Sequence, residues 1–241
     1  MDRNELLASM IQLVIDENDV DVVKETYLTL AINGVLTSGK GEVNKNWPRL
    51  PFDNVAEYRA GRTPARQENR YWSSATIPWV SIADLVDGGQ VSSTKESVSV
   101  TAQNEVFKSP PSPIGTLLMS FKLTIGKIST LACDAYFNEA IIAIQPKEIV
   151  SVDFLKLALP NIARGGESKN AIKGRTLNRD SLGKLVVPIP SKVEQDEIVN
   201  MINSFNSELD KTALSLTERN RLKKHALVGI SHSIIESLEI D

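Results

Sequence analysis

Residues 191–238 read SKVEQDEIVNMINSFNSELDKTALSLTERNRLKKHALVGISHSIIESL, forty-eight positions with no proline and one glycine, Gly229. Ser191 suits a helix N-cap, and Glu194 three positions on completes a capping box. Ile198, Ile202, Phe205, Leu209 and Leu216 then recur at the four-then-three steps of a helix that packs on another helix. Leu222, Ala226, Ile230, Ile234 and Leu238 continue this seam at a drifting four-residue step. Unbroken, such a helix rises ~1.5 Å per residue and spans roughly 65–70 Å. A globule of ~145 residues has no surface of that length, so the far half needs a second helix. Two copies pairing their rods, or the rod packing on the chain's own N-terminal helices, would both cover it.

Upstream of Pro190 the texture differs. Short apolar runs alternate with Pro, Gly and β-branched residues, as strands between turns do. Ile77 to Ile82 reads as a strand with proline at its start or on an edge. Gly115 to Ser120 and Lys127 to Ala132 read as strands joined by a turn over Lys122 to Gly126, and Ala140 to Ile144 as a buried strand. Val152 to Leu159 predicts a short helix ending before Pro160, and Leu185 to Pro190 a last extended piece. In the first 46 residues, Leu6, Leu7, Met10, Ile11, Val14 and Ile15 mark one helical face, interrupted by Asp16-Glu17-Asn18-Asp19. Val22, Val23, Thr26, Tyr27, Leu30 and Ala31 mark a second, with Asn33-Gly34 as its stop. The expected fold class is α+β. One globular mixed domain spans 47–190, a long C-terminal coiled-coil-type helix spans 191–241, and a short N-terminal helical segment with its linker spans 1–46.

The chain has 241 residues, of which 41% are hydrophobic and 24% charged, enough to bury a core and unlike a disordered chain. One cysteine, Cys133, forbids an internal disulfide framework. No apolar run approaches the ~20 residues of a membrane span, and Met1-Asp2-Arg3-Asn4-Glu5 is unlike a signal-peptide start. The expectation is a cytoplasmic protein with no membrane partner. The net charge of −3 conceals a pattern: residues 1–46 carry −4, residues 47–190 carry +4 and residues 191–241 carry −3. A basic middle between acidic ends is compatible with a nucleic-acid face, although four charges can also be scattered over a domain.

Enzymatic chemistry finds little support. His225 and His232 stand seven apart on the long helix without the ligand set of a zinc site, so no metal is expected. Gly61-Arg62-Thr63-Pro64 is not a phosphate-cradling loop, no cofactor loop is present, and Asp84, Asp87, Asp134 and Asp153 suggest no carboxylate cluster. Neither catalysis nor a cofactor is expected of this chain. Binding is better supported. Arg59, Arg62, Arg66 and Arg70 share one irregular stretch with Thr63, Gln67 and Asn69, a mixture that suits phosphates and base edges and equally a solvated loop. Lys122, Thr124 and Lys127 bracket a turn in which Gly126 allows close backbone approach, or form a plain hairpin. Lys169, Lys173, Arg175 and Arg179 form a third basic group in a Gly-containing loop that suits polyanions or solubility alone. Trp72 and Trp79 are expected in the core.

The order of these pieces resembles the specificity (S) subunits of type I restriction-modification systems. Trp47-Pro48 and Leu50, Gly61-Arg62-Thr63-Pro64, Tyr71-Trp72 and Ile77-Pro78-Trp79-Val80 are similar to the opening of a target-recognition domain. Gly115 to Ser120, Thr124-Ile125-Gly126-Lys127 and Asn138-Glu139-Ala140 resemble its middle. Thr176-Leu177-Asn178, Leu185 to Pro190, Glu194-Gln195 and Ile198-Val199 resemble its end and the start of the helix that follows. A full-length S subunit has two such domains separated by antiparallel helices; this chain has room for one domain and one long helix, and resembles a half-subunit. The resemblance implies a non-catalytic subunit whose domain reads one half of a split site in double-stranded DNA. Its helices would dock methyltransferase (modification) subunits, with the restriction subunit recruited to the complex, and helix length would set the half-site spacing.

DNA contacts are expected from Arg62, Arg66, Lys122, Lys127, Lys173 and Arg175, and helix pairing, including a homodimer through the long helix, from Ile198, Ile202, Phe205, Leu209, Leu216, Ile230 and Ile234. The competing expectation is a helical adaptor for protein partners that never meets DNA. Replacing Lys173 and Arg175 together by alanine is expected to weaken duplex binding at low salt in a gel-shift titration; an unchanged affinity would remove that loop from the interface.

Overall fold

The computed structural model describes residues 3–14, 16–37, 43–165 and 177–238, with the side chains of the last helix described as far as Leu222. The chain divides into two compact units, Lys45–Val199 and Met1–Asn44 with Asn200–Asp241. In chain order, α1 (Arg3–Gln12) and α2 (Glu17–Ile32) come first, followed by β1 (Arg49–Pro51), the turn α3 (Phe52–Val55) and β2 (Ala56–Ala60). The turn α4 (Asn69–Trp72) precedes β3 (Ile77–Val80), β4 (Gln90–Val91), β5 (Glu96–Val98) and the turn α5 (Val100–Ala102). A π-turn over Gln103–Phe107 leads to β6 (Leu117–Ser120), β7 (Ile128–Leu131), β8 (Tyr136–Phe137) and β9 (Ile141–Pro146). Then come α6 (Val152–Gly165), the turn α7 (Arg179–Gly183), β10 (Val186–Pro188) and α8 (Lys192–Leu238). Among the described residues no helix is long and apolar enough to cross a membrane.

The unit Lys45–Val199 is built on a five-stranded sheet in the order β2-β9-β6-β7-β4, antiparallel except where β4 runs parallel to β7. All four residues of β6 are buried, as a central strand covered on both faces requires. A second sheet, β5-β3-β8, shares a core with the first: Val80 and Phe137 from the small sheet meet Val91, Leu118, Leu131, Ile141 and Ala143 from the large one. A smaller core of Tyr71, Trp79, Val98, Ala102 and Tyr136 lies beyond the small sheet, with Trp72 edge-on to Trp79 at 5.4 Å between ring centres. The third sheet pairs β1 with β10, the two ends of the unit's chain.

Two expectations are corrected. Arg59 lies on β2 and Arg70 in α4, so the arginine stretch is not wholly irregular. The helix expected to stop before Pro160 runs through it to Gly165. Proline forfeits one backbone bond to the preceding turn, but Phe154, Leu155, Ala158, Leu159, Pro160 and Ala163 form a buried stripe, and packing along that stripe keeps the helix going.

In the other unit, α2 ends at a Schellman cap. Gly34 adopts φ 74°, with its N–H on the Ala31 carbonyl and the Val35 N–H on the Leu30 carbonyl. Val20, Val23, Tyr27, Ala31 and Ile32 are buried, as are Ile202, Phe205, Leu209 and Leu216 of α8. The rings of Tyr27 and Phe205 stack at 3.7 Å, and the Lys24 ammonium pairs with Asp210 at 2.7 Å. At Phe205 the α8 seam is therefore covered by a helix of its own chain, while Leu222 is exposed. Ile230 and Ile234 fall within α8, but their side chains lie outside the described residues.

The start of α8 is fastened within the unit Lys45–Val199. The Glu194 carboxylate accepts from the Ser191 N–H at 2.9 Å, the Ser191 hydroxyl at 2.8 Å and the Trp47 indole at 3.1 Å. Burial pushes the Glu194 pKa up, but these bonds outweigh it and hold the carboxyl below the usual range. Gln195, fully buried, donates to the carbonyls of Ile149 (3.0 Å) and Pro190 (2.9 Å) and accepts from the Ser151 N–H at 2.7 Å. Gln195→Leu keeps most of the volume but strands one donor and two acceptors. It is expected to destabilise the fold by on the order of 2–3 kcal/mol, read as a lowered urea midpoint with an unchanged m-value.

Candidate nucleic-acid interface

The segment Gly61–Arg70 lies across the small sheet as a strap. Gly61 donates its N–H to the Ile141 carbonyl at 3.0 Å and Arg62 its own to the Phe137 carbonyl at 2.9 Å. A Cβ at Gly61 would stand 2.0 Å from the Phe137 oxygen, so only glycine permits this approach. The Trp79 indole donates to the Arg62 carbonyl at 3.0 Å and the Trp72 indole to the Ala65 carbonyl at 3.1 Å. The Thr63 hydroxyl hydrogen-bonds the Glu139 carboxylate. The tryptophans thus serve the strap as well as the core.

The four arginines differ in what holds them. Arg59 donates to the Ser112 hydroxyl at 2.6 Å and lies 5.3 Å over the Phe137 ring; Arg62 donates to the Val106 carbonyl at 3.0 Å. These partners are neutral, and both side chains line a cleft of about 220 Å³ with Gly61, Phe107, Ser109 and Tyr136. Arg66 instead makes a two-pronged pair with Glu96 and sits 4.0 Å over Trp72 and 4.9 Å over Trp79. Arg70 pairs with Glu68 at 3.2 Å and with Glu105 at 2.9 Å. Arg66 and Arg70 therefore have their charge largely answered within the protein.

Lys122 and Lys127 belong to the turn between β6 and β7. The Lys122 ammonium lies 5.2 Å from the Phe121 ring centre, and the Lys127 ammonium donates to the Ile82 carbonyl at 3.3 Å. Glu139 accepts from the Thr63 hydroxyl of the strap, and the carbonyl of the next residue, Ala140, accepts from the Phe121 N–H of the turn at 3.0 Å. The Thr63 hydroxyl lowers the Glu139 pKa most, burial opposes this, and Lys122 and Arg66 both lower it further. On its other side the turn meets α6: a Cβ at Gly126 would lie 3.0 Å from the Pro160 oxygen and 3.4 Å from the Arg164 side chain. Lys169, Lys173 and Arg175 lie outside the described residues. Arg179, the last of that group, lines a shallow polar cleft with Asp53 and Tyr58. The Tyr58 hydroxyl there is pushed up to about 12 by burial and by its bond to Asp53.

The structure thus brings the first two basic groups together around Glu139 and sets the turn beside the end of α6. Sequence reasoning treated Arg59 only as one of four and missed the carboxylates Glu96, Glu105 and Glu139, which stand 30 to 76 residues from their partners. No local pattern marks such pairs. Among the described residues no group of three or more His, Cys, Asp or Glu could hold a metal ion.

Comparison with known proteins gives a family, two relatives and a similar fold. The type I restriction modification DNA specificity domain matches residues 44–219. The chain is 24% identical over 185 residues to the HindI specificity subunit of Haemophilus influenzae, covering 75% of this chain and 39% of that protein. It is 25% identical over 183 residues to the EcoR124I/EcoR124II specificity subunit of Escherichia coli, covering 72% and 43%. The HsdS subunit of Thermoanaerobacter tengcongensis has a similar fold, with a TM-score of 0.60 at 15% identity over 93% of this chain and 52% of its own. The chain therefore spans less than half the length of these two curated relatives. If the pairing of charges decides availability, Arg59→Ala and Arg62→Ala should each flatten the salt dependence of duplex binding by about 0.9 in log–log slope. Arg66→Ala should leave that slope nearly unchanged and lower stability by about 1 kcal/mol through lost ring and ion-pair contacts, measured by thermal melting.

Proposed function

The chain belongs to the type I restriction modification DNA specificity domain family, and from this we propose that it is the non-catalytic DNA-reading subunit of a type I restriction-modification complex, recognising one half of a split site. The observation that carries the reading is the meeting of the Gly61–Arg70 strap and the Lys122–Lys127 turn around Glu139, within the matched region. Arg62, Lys122 and Lys127, joined by Arg59, are assigned to the duplex. Arg66 positions the strap through its pair with Glu96 rather than neutralising a phosphate. Lys173 and Arg175 are assigned to the duplex as well. Residues 47–190 form the recognition domain and residues 191–241 the helix that docks methyltransferase subunits, with the restriction subunit joining the assembled complex in the cytoplasm. The chain needs no cofactor of its own for this task. A second copy pairs through the C-terminal part of α8 that carries Ile230 and Ile234, since Ile202, Phe205, Leu209 and Leu216 are already buried within the chain.

The expected test is a gel shift with random-sequence duplexes, using the chain alone and with its methyltransferase subunit. Binding with the subunit present should fall with salt at a log–log slope near −4 to −5, for ~5 phosphates neutralised. Assembly with the methyltransferase but no DNA retention at low salt would identify a helical adaptor instead.

A further inference from the structure

The turn between β6 and β7 ends in a residue whose conformation stability alone disfavours. Leu123 is 86% exposed, the highest value among the described large apolar side chains. Its backbone sits at φ 61°, in the left-handed region that crowds any Cβ against the following carbonyl. Ser74 and Lys108 are the other non-glycine residues described with positive φ, and both are polar. Only at Leu123 does that conformation carry an apolar side chain into water.

The turn is built to hold it there. The Ser120 hydroxyl donates to the Thr124 carbonyl and accepts from the Lys127 N–H at 3.1 Å. The Ser120 N–H donates to the Lys127 carbonyl at 2.9 Å, and the Gly126 N–H donates to the Ser120 carbonyl at 2.8 Å. Gly126, at φ 78°, is pressed against Pro160 of α6. Lys122 and Thr124 flank the leucine with a cation and an exposed hydroxyl. Strain held by its surroundings marks a site under functional constraint.

We infer that Leu123 is an apolar wedge that enters a base step of the bound duplex, with Lys122 on a flanking phosphate and Thr124 at a base edge. Its role rests on the DNA-reading function proposed above. A side chain inserted between base pairs partly unstacks them and kinks the duplex, and stacked bases offer apolar surface bordered on both sides by phosphate, which a leucine between a lysine and a threonine matches. A protein partner would be met by a cluster of apolar anchors rather than by one.

The test uses the full chain assembled with its methyltransferase subunit and a 40-base-pair duplex enriched from a random pool by the wild-type complex. Leu123→Gly should raise the thermal midpoint, because glycine takes positive φ without penalty. It should also weaken duplex binding at least about tenfold. The salt slope should not change, since no charge is lost, and the bend of about 20–90° seen by circular-permutation electrophoresis should disappear. Leu123→Met should restore affinity and bend. A Leu123→Gly complex that binds and bends as wild type overturns the wedge, and so does loss of assembly with the methyltransferase, which would place Leu123 in a protein interface. If the wild-type complex enriches no duplex, the DNA-reading function itself fails and the wedge fails with it.

Discussion

Gln195 is the constraint on which the rest of the unit Lys45–Val199 depends. A fully buried amide is costly unless every polar atom finds a partner, and here three backbone groups from two separate loops meet it. With the Ser191–Glu194 cap and the Trp47 indole beside it, this contact joins the beginning of the unit, the loop before α6 and the first turns of α8. The β1–β10 ladder closes the same seam from the other side, Arg49 opposite Pro188 and Pro51 opposite Val186. A unit sealed in this way has its chain ends side by side.

The arginine strap shows a related economy. Four cations in twelve residues would repel one another on an open loop, but Glu96, Glu68 and Glu105 answer two of them, and the rings of Phe137, Trp72 and Tyr71 lie against Arg59, Arg66 and Arg70. The result is a stiff surface whose uncompensated charge is concentrated at Arg59 and Arg62. Preorganised donors lose little freedom when a polyanion arrives, which favours discrimination between sites over bulk attraction. Glu139 adds restraint by accepting from the Thr63 hydroxyl.

Much of this was legible in the chain. The capping box at Ser191 and the cap at Gly34 act over three to five residues, so residue identity alone announces them. β6, β7 and β9 are apolar runs long enough to read as strands, and the family resemblance rests on motifs distributed across them. The basic groups could be named because charge is a property of each residue.

What the sequence determined by itself was therefore local: the long helix and its cap, the central strands, the α+β class and the inventory of cations. Tertiary structure alone decided which cations are answered, since Arg66 finds Glu96 and Thr63 finds Glu139 only once strands distant in sequence are paired. It also decided that β2, β4, β5 and β8 exist, because strands of two to five residues are defined by a partner's hydrogen bonds more than by their own pattern. It carried α6 through Pro160, where burial outweighs a lost backbone bond, and it set Tyr27 of α2 against Phe205 in the α8 seam. Periodicity says that a face must be buried; only the folded chain says against what, because that choice is made through space rather than along the sequence.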